Sequence, residues 1–89
     1  MNTKELAIEI ADAFGISVRM AERIIRFATD KIKDTVKSGG AVRLAQFGSF
    51  CRVDKPEREY NTPVGGRVTV PAHGTVKFNA SGYFKEMLK

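Results

Sequence analysis

The feature that most constrains this 89-residue chain is the segment PEREYNTPVGGRV at residues 56–68. Its Asn-Thr-Pro-Val-Gly-Gly centre predicts a turn, because Pro and Gly supply the backbone angles that tight turns need. The stretch from Ser49 to Tyr60, which leads to that turn, would span roughly 40 Å as a strand. A compact chain of this length has a radius of gyration of only about 12 Å. The sequence therefore predicts a long β-hairpin that extends beyond any core the chain can build.

The apolar residues pose the opposite problem. The chain has six phenylalanines and an apolar stripe on its second helix, which is more than one small sheet and two helices can cover. A domain of this size buries only about 60–65% of its unfolded surface. A dimer would close the core and set two hairpins side by side as arms. We expect its shared core to include Phe27, Phe47, Phe50 and Phe78.

Local patterns predict an α+β fold with the order α-α-β-β-β-α. Asn2 or Thr3 can cap a first helix that stops at Gly15, and Ser17 can cap a second that ends at Gly39-Gly40. Three antiparallel strands follow, the third interrupted by Pro71 and Gly74, and Asn79 or Ser81 caps a short last helix. We predict one domain over residues 1–89, with a helical dimerisation base (1–40), a sheet (41–78) whose arm covers about 52–71, and a C-terminal helix (79–89).

Composition argues against several classes of function. One cysteine, Cys51, excludes an intrachain disulfide, and one histidine, His73, leaves no zinc cluster. There is no carboxylate pair and no phosphate-binding loop, so we expect neither an enzyme nor a cofactor. The MNTKELAIEI start, interrupted by acidic residues, predicts no signal peptide or membrane span, hence a cytoplasmic protein. Cys51 is interpreted first as a small filler and only second as a redox group.

Charge favours an anionic partner. The formal net charge is +5 and the pI is about 9.7, with the charge spread along the chain. One concentration stands out on the second helix, opposite its apolar stripe. This row is interpreted first as a solvated face, and it consists of Arg19, Arg23, Arg26, Asp30, Lys33 and Lys37.

Several stretches together resemble the HU and integration host factor family of bacterial DNA-bending proteins. They are the MNTKEL start, AVRLAQFGSF at 41–50, Pro63 followed by Gly66-Arg67, and FNASG at 78–82. The resemblance covers essentially the whole chain. It implies a nucleoid-associated, intertwined homodimer, or a heterodimer with a paralogue, with a saddle of strands and two β-ribbon arms that wrap duplex DNA in the minor groove.

The resemblance also implies roles for individual residues. Pro63 at the arm tip would insert between base pairs and kink the duplex, and Val64 could share this wedge role. Other residues in the arm, on the saddle and at helix starts would contact DNA. They are Lys4, Arg43, Arg52, Lys55, Arg58, Asn61, Arg67, Lys77, Ser81 and Lys85.

The chain departs from the family pattern at the arm and at one turn. Residues 52–70 carry four basic and three acidic residues, whereas arms of the family are usually strongly basic. The family's Gly-Phe-Gly turn has Gln46 in its first position. Pro63 could also be an ordinary turn residue, and Tyr60 could stack on a base or pack across the ribbon.

Three functions follow in decreasing order of preference. The first is an architectural protein that binds and bends double-stranded DNA with little or no sequence specificity and contributes to DNA compaction. The second is a scaffold on the same fold whose weakly charged arms pair with a protein by β-augmentation. The third is an enzyme. Neither a membrane nor a small-molecule substrate is expected as a partner.

Overall fold

The computed structural model describes all of residues 1–89, which form three helices and five strands. The chain divides into two compact units, residues 1–34 and 35–89. None of the helices combines the length and apolar character that a membrane span requires. The elements are α1 (Thr3–Phe14), α2 (Val18–Lys37), β1 (Val42–Leu44), β2 (Gly48–Lys55), β3 (Arg58–Thr62), β4 (Gly66–Val70), β5 (His73–Ala80) and α3 (Gly82–Met87).

The signals that begin and end the helices act as the sequence predicts. The Asn2 side chain accepts a hydrogen bond from the Glu5 backbone N–H at 2.8 Å and caps α1. Gly15 ends α1 with a φ of 66°, a left-handed conformation that glycine adopts at little cost. The Ser17 hydroxyl accepts from the Met20 N–H at 3.0 Å and caps α2.

The first unit has a core of small residues. Ala7 and Ala11 of α1 and Ala21 of α2 are buried, which lets the two helices approach closely. Larger apolar groups surround this centre only in part, and they are Ile10, Ile16, Val18 and Ile25. A second apolar row on α2 is exposed and consists of Met20, Ile24 and Phe27.

The second unit contains an antiparallel sheet with the order β1-β2-β5. Phe50 lies opposite Phe78, with ring centroids 4.8 Å apart. The Phe47 ring packs against both of these rings, and its centroid also lies 5.5 Å from the ring centroid of Phe84 in α3. The buried Gly48 lies under the cluster, where an added Cβ would come within 2.6 Å of the Phe78 ring. The aromatic rings therefore form a cluster on one face of this sheet.

The turn between β1 and β2 places an unusual residue in a left-handed conformation. Gln46 has a φ of 62°, and the Phe47 N–H donates to the Leu44 carbonyl at 3.1 Å. This is the third position of the turn, where glycine is normally favoured because it has no Cβ. Gln46 is therefore the one non-glycine with positive φ.

Two prolines divide the long hairpin into a sheet part and a ribbon part. β2 pairs with β5 as far as Lys55 and His73, and β3 with β4 from Arg58 and Val70 onward. Pro56 and Pro71 lie in the gap between these ladders, and neither has an N–H to donate. Two residues separate the ladders on each strand, so pairing resumes in the same register. The sequence predicts three strands and the structure has five, because this gap divides each of the last two predicted strands in two.

The expectation that Gly74 interrupts the last strand is wrong. β5 begins at His73, and Gly74 pairs with Asp54 inside the ladder. The Arg52 guanidinium covers this position so closely that an added Cβ would lie 2.6 Å from its Cζ. Gly74 therefore does not break the strand, and the Arg52 guanidinium occupies the space that a side chain would fill.

Candidate nucleic-acid interface

The sheet face that points away from the aromatic cluster carries a polar row across all three strands. Arg43 pairs with Ser49, and Ser49 pairs with Asn79, so their side chains lie side by side on one face. They line a shallow groove of about 260 Å³ with Ser81 at its border. A guanidinium beside a hydroxyl and an amide offers both charge and neutral hydrogen-bond donors, the combination that binds phosphate oxygens.

The next rows on this face contain two more of the predicted cations. Lys77 lies opposite Cys51, and Lys55 lies opposite His73. Both lysines are exposed and form no ion pair with an acidic side chain. The Cys51 thiol contacts the Lys77 carbonyl at 3.8 Å, in agreement with a filler role in the strand. The structure thus brings Arg43, Lys55 and Lys77 to one face, which we call the saddle face.

Arg52 does not share that face. It lies two residues from Phe50 and so points to the same side of β2 as the aromatic cluster. Its Nε donates to the Asp54 carboxylate at 2.9 Å, and its NH1 donates to the Lys37 carbonyl at 3.2 Å. These contacts give Arg52 a structural role, and they separate it from the other predicted DNA-contacting residues of β2.

The ribbon of β3 and β4 has two unlike faces. On one face Arg58 lies opposite Val70, and Tyr60 lies opposite Val68. No acidic residue lies on this face of the ribbon, and Arg58 forms no ion pair. Tyr60 is 45% exposed although it packs across the ribbon, so both uses expected for it are compatible with its position.

The other ribbon face carries a cation and an acid together. Asn61 lies opposite Arg67, and Arg67 reaches diagonally to Glu59, with NH1 and Oε2 3.7 Å apart. Both side chains are more than half exposed, so water weakens the pair. Arg67 is therefore a less available cation than Arg58, which the sequence pattern treats as its equal.

The ribbon ends in a three-residue loop with an apolar tip. The Gly65 N–H donates to the Thr62 carbonyl at 3.3 Å, and Gly65 has a φ of 90°. The Thr62 hydroxyl donates to the Gly66 carbonyl at 2.9 Å and closes the loop. Pro63 is exposed at the first loop position, and Val64 beside it is 95% exposed. Two adjoining apolar groups thus stand at the end of the ribbon.

The helix residues predicted to contact DNA are all exposed or half-buried. Lys4 lies in the first turn of α1, and Lys85 lies in the last turn of α3. Ser81 caps α3: its hydroxyl accepts from the Phe84 N–H at 3.1 Å, while its own N–H donates to the Phe47 carbonyl at 2.9 Å. Only the hydroxyl hydrogen of Ser81 remains to contact a phosphate.

Sequence reasoning missed Ser49 and Asn79. Strand alternation already places Ser49 on the face opposite Phe50, so the sequence indicates the face of Ser49 but not its neighbours. Its position beside Arg43 depends on the turn at residues 45–47, which fixes the register of β1 on β2.

The residues predicted for the dimer core remain accessible in the single chain. Phe47 and Phe78 are 42% and 41% exposed although they contact each other, and Phe27 is 66% exposed with the Lys31 ammonium 5.3 Å from its ring centre. No large side chain in the chain is fully buried. One copy therefore leaves much of its apolar surface in water.

Comparison with known proteins places these features in a family. Integration host factor subunit alpha of Burkholderia pseudomallei is 31% identical over 96% of this chain and 75% of its own length. The DNA-binding protein HRm of Rhizobium meliloti is 33% identical over 97% of each chain. These relatives match almost the whole of residues 1–89.

Solved structures give the same result. An Anabaena HU protein, crystallised with DNA, has a TM-score of 0.90 and 29% identity over 99% of this chain and 97% of its own. A variant of HU from Thermotoga maritima matches in fold, with a TM-score of 0.72 and 22% identity over the full length of both chains. The model of the bacterial DNA-binding protein family matches residues 1–89. The chain therefore belongs to the family of bacterial DNA-binding proteins that includes HU and integration host factor.

Proposed function

We propose that this protein is a dimeric architectural factor that bends duplex DNA through the minor groove with little sequence specificity. It acts by binding and not by catalysis, in the cytoplasm on nucleoid DNA, and so contributes to compaction. The observation that carries the proposal is the ribbon of β3 and β4, which has an unopposed Arg58 on one face and the apolar Pro63-Val64 tip at its end.

A dimer is supported by the surface that one copy leaves exposed. The row of Met20, Ile24 and Phe27 on α2 is 43%, 48% and 66% exposed in the single chain. Burial of apolar surface contributes about 25 cal/mol per Å², so covering such a row stabilises the complex by several kcal/mol. Isolated two-stranded ribbons are only marginally stable in water, and a dimer supplies two of them to hold one duplex.

Bending of the duplex follows from the apolar Pro63-Val64 tip of the ribbon. An apolar wedge between two base pairs costs a few kcal/mol of stacking, and the contacts that the bent duplex makes with the protein offset this cost. Phosphate contacts from the saddle face, including Arg43 and Lys77, carry no sequence information. The minor groove offers only a degenerate pattern of donors and acceptors. Low sequence specificity is the expected result.

A salt titration of duplex binding tests the proposal. Each phosphate contact releases condensed counterions, so log affinity should fall by about 0.9 for each unit of log salt and each contact. A dimer that uses Arg43, Lys77 and Arg58 from both copies makes about six contacts and should give a slope near −5. A flat response, or no binding at low salt, would contradict DNA binding.

A protein partner at the ribbon is the second candidate. Each ribbon strand pairs on one side only, so its outer edge is open to β-augmentation. Under this alternative the chain would bind no duplex at low salt, and the salt titration separates the two.

A further inference from the structure

The basic row of α2 has no role in the proposed contact between ribbon and DNA. At 100° per residue, Arg19, Arg23, Arg26, Asp30, Lys33 and Lys37 fall within an arc of about 80° on the helix. All six are exposed. From first to last they extend about 27 Å along the axis. We call this row the α2 stripe.

Most cations of the stripe have no acidic partner. Asp30 is its one acidic member, and it pairs with Lys33 at 3.8 Å. Arg19, Arg23 and Arg26 form no ion pair. Glu22 and Asp34 lie at the edges of the arc and not within it. A solvated face that serves only for solubility usually mixes both signs, whereas here three successive positions are unpaired arginines.

Its position on the helix keeps the stripe accessible in a dimer. The packing side of α2, with Ala21 and Ile25, faces α1. The exposed apolar row of Met20, Ile24 and Phe27 lies about 100° around the helix from the stripe. A second copy that covers this row leaves the stripe in solvent.

A second helix adds a cation beside the stripe. Lys4 of α1 lines a cleft of about 660 Å³ together with Arg26 and Lys33. Thr3 and Thr29 add hydroxyls to this cleft, and Glu22 and Asp30 add carboxylates. All of these residues lie within residues 1–34.

We propose that the α2 stripe binds the phosphate backbone of a second duplex, so that one dimer holds two DNA segments together. Arginine suits this task because its planar guanidinium binds phosphate oxygens in pairs. The length of the stripe corresponds to about eight base pairs along a straight duplex. The inference rests on the proposed function, since the first duplex must bind elsewhere.

A bridging assay tests the proposal. One duplex is immobilised on beads, the full-length protein is added, and retention of a second, fluorescent duplex is measured. The double variant R23Q/R26Q should reduce retention by at least about 10-fold, because two phosphate contacts per copy are lost. Its dissociation constant for a single duplex should stay within about two-fold of the parent, because neither arginine is among the residues assigned to the first duplex.

Two variants make the test specific. K89Q removes a positive charge outside the stripe and should retain the second duplex like the parent. R23K/R26K keeps the charge and should restore most of the retention lost in the glutamine variant.

Four results would overturn the proposal. They are unchanged retention in R23Q/R26Q, an equal loss in K89Q, a parallel loss of single-duplex affinity, and a parent protein that binds the immobilised duplex without retaining the second. Failure of the parent to bind even the immobilised duplex would instead contradict the proposed function itself.

Discussion

The sheet of β1, β2 and β5 and the ribbon of β3 and β4 are parts of one hairpin with one register, yet they are stabilised differently. In the sheet, Phe50 and Phe78 face each other within a cluster of four rings. In the ribbon, Tyr60 and Val68 face each other with nearly half of each side chain exposed. Continuous pairing therefore does not imply continuous stability. The sheet has a cluster of aromatic rings on one face, whereas the ribbon is a two-stranded element of a kind that is only marginally stable in water by itself.

A glycine-to-alanine change in each region gives the largest expected contrast. Gly48→Ala should lower the free energy of unfolding by about 1–3 kcal/mol, because the new methyl group would meet the Asn79 carbonyl and the Phe78 ring. Gly66→Ala in the ribbon meets nothing within 4 Å and should change stability by at most about 0.5 kcal/mol. Urea denaturation of both variants measures the difference, and equal losses would erase the distinction between sheet and ribbon.

The tip should control bending more than affinity. Pro63→Ala removes the rigid apolar wedge and should reduce the bend of a bound duplex, while the phosphate contacts preserve most of the affinity. Fluorescence energy transfer between the duplex ends, at saturating protein, reports the bend. Val64→Ala is the neighbouring comparison, and it should also reduce the bend if the two residues share the wedge role. An undiminished bend with Pro63→Ala would remove the proline from the mechanism.

Arg58 should control affinity more than bending. Arg58→Ala removes an unpaired cation from the ribbon and should weaken duplex binding by roughly 1 kcal/mol per copy, with a smaller salt slope. Arg52→Ala removes an equal charge, but Arg52 is paired with Asp54 on the side of the aromatic cluster. The DNA affinity of the Arg52→Ala variant should therefore fall less than that of the Arg58→Ala variant. A gel-shift titration at several salt concentrations compares them, and a larger loss for Arg52→Ala would contradict the role of Arg58 as the available cation.

The ion pair with Glu59 should slightly weaken the contribution of Arg67 to duplex affinity. Glu59→Gln breaks the ion pair at 3.7 Å and should raise duplex affinity by a factor of about two, since exposed pairs contribute less than about 1 kcal/mol. Glu57→Gln changes the charge equally but breaks no ion pair, so its gain should be smaller. In an Arg67→Ala background the two glutamine variants should become equal. A persistent difference there would show that Glu59 acts on something other than Arg67.

The sequence predicts the two helices well because their signals are local. Asn2, Gly15 and Ser17 act within a few residues, and side-chain to backbone hydrogen bonds decide those boundaries. The long hairpin and its turn at Pro63 also follow from local sequence. The family resemblance adds the overall architecture, which agrees with the matched HU structures.

Features that depend on register are predicted less well. The division into sheet and ribbon arises because Pro56 and Pro71 remove donors from opposite strands near the same level. Gly74 resembles a strand breaker in isolation, and only the pairing shows that Arg52 covers it. The groove of Arg43, Ser49 and Asn79 requires three strands in fixed register. Such sites arise from residues far apart in the chain, and no local pattern specifies them.

The central claim is that this ribbon bends duplex DNA. The most direct measurement is energy transfer between dyes at the two ends of a plain duplex of about 30 base pairs, titrated with the unmodified protein and compared with a nicked duplex. The account predicts that energy transfer rises as the plain duplex is bound, because the tips of both arms kink it. Binding that leaves the distance between the ends of both duplexes unchanged would contradict it.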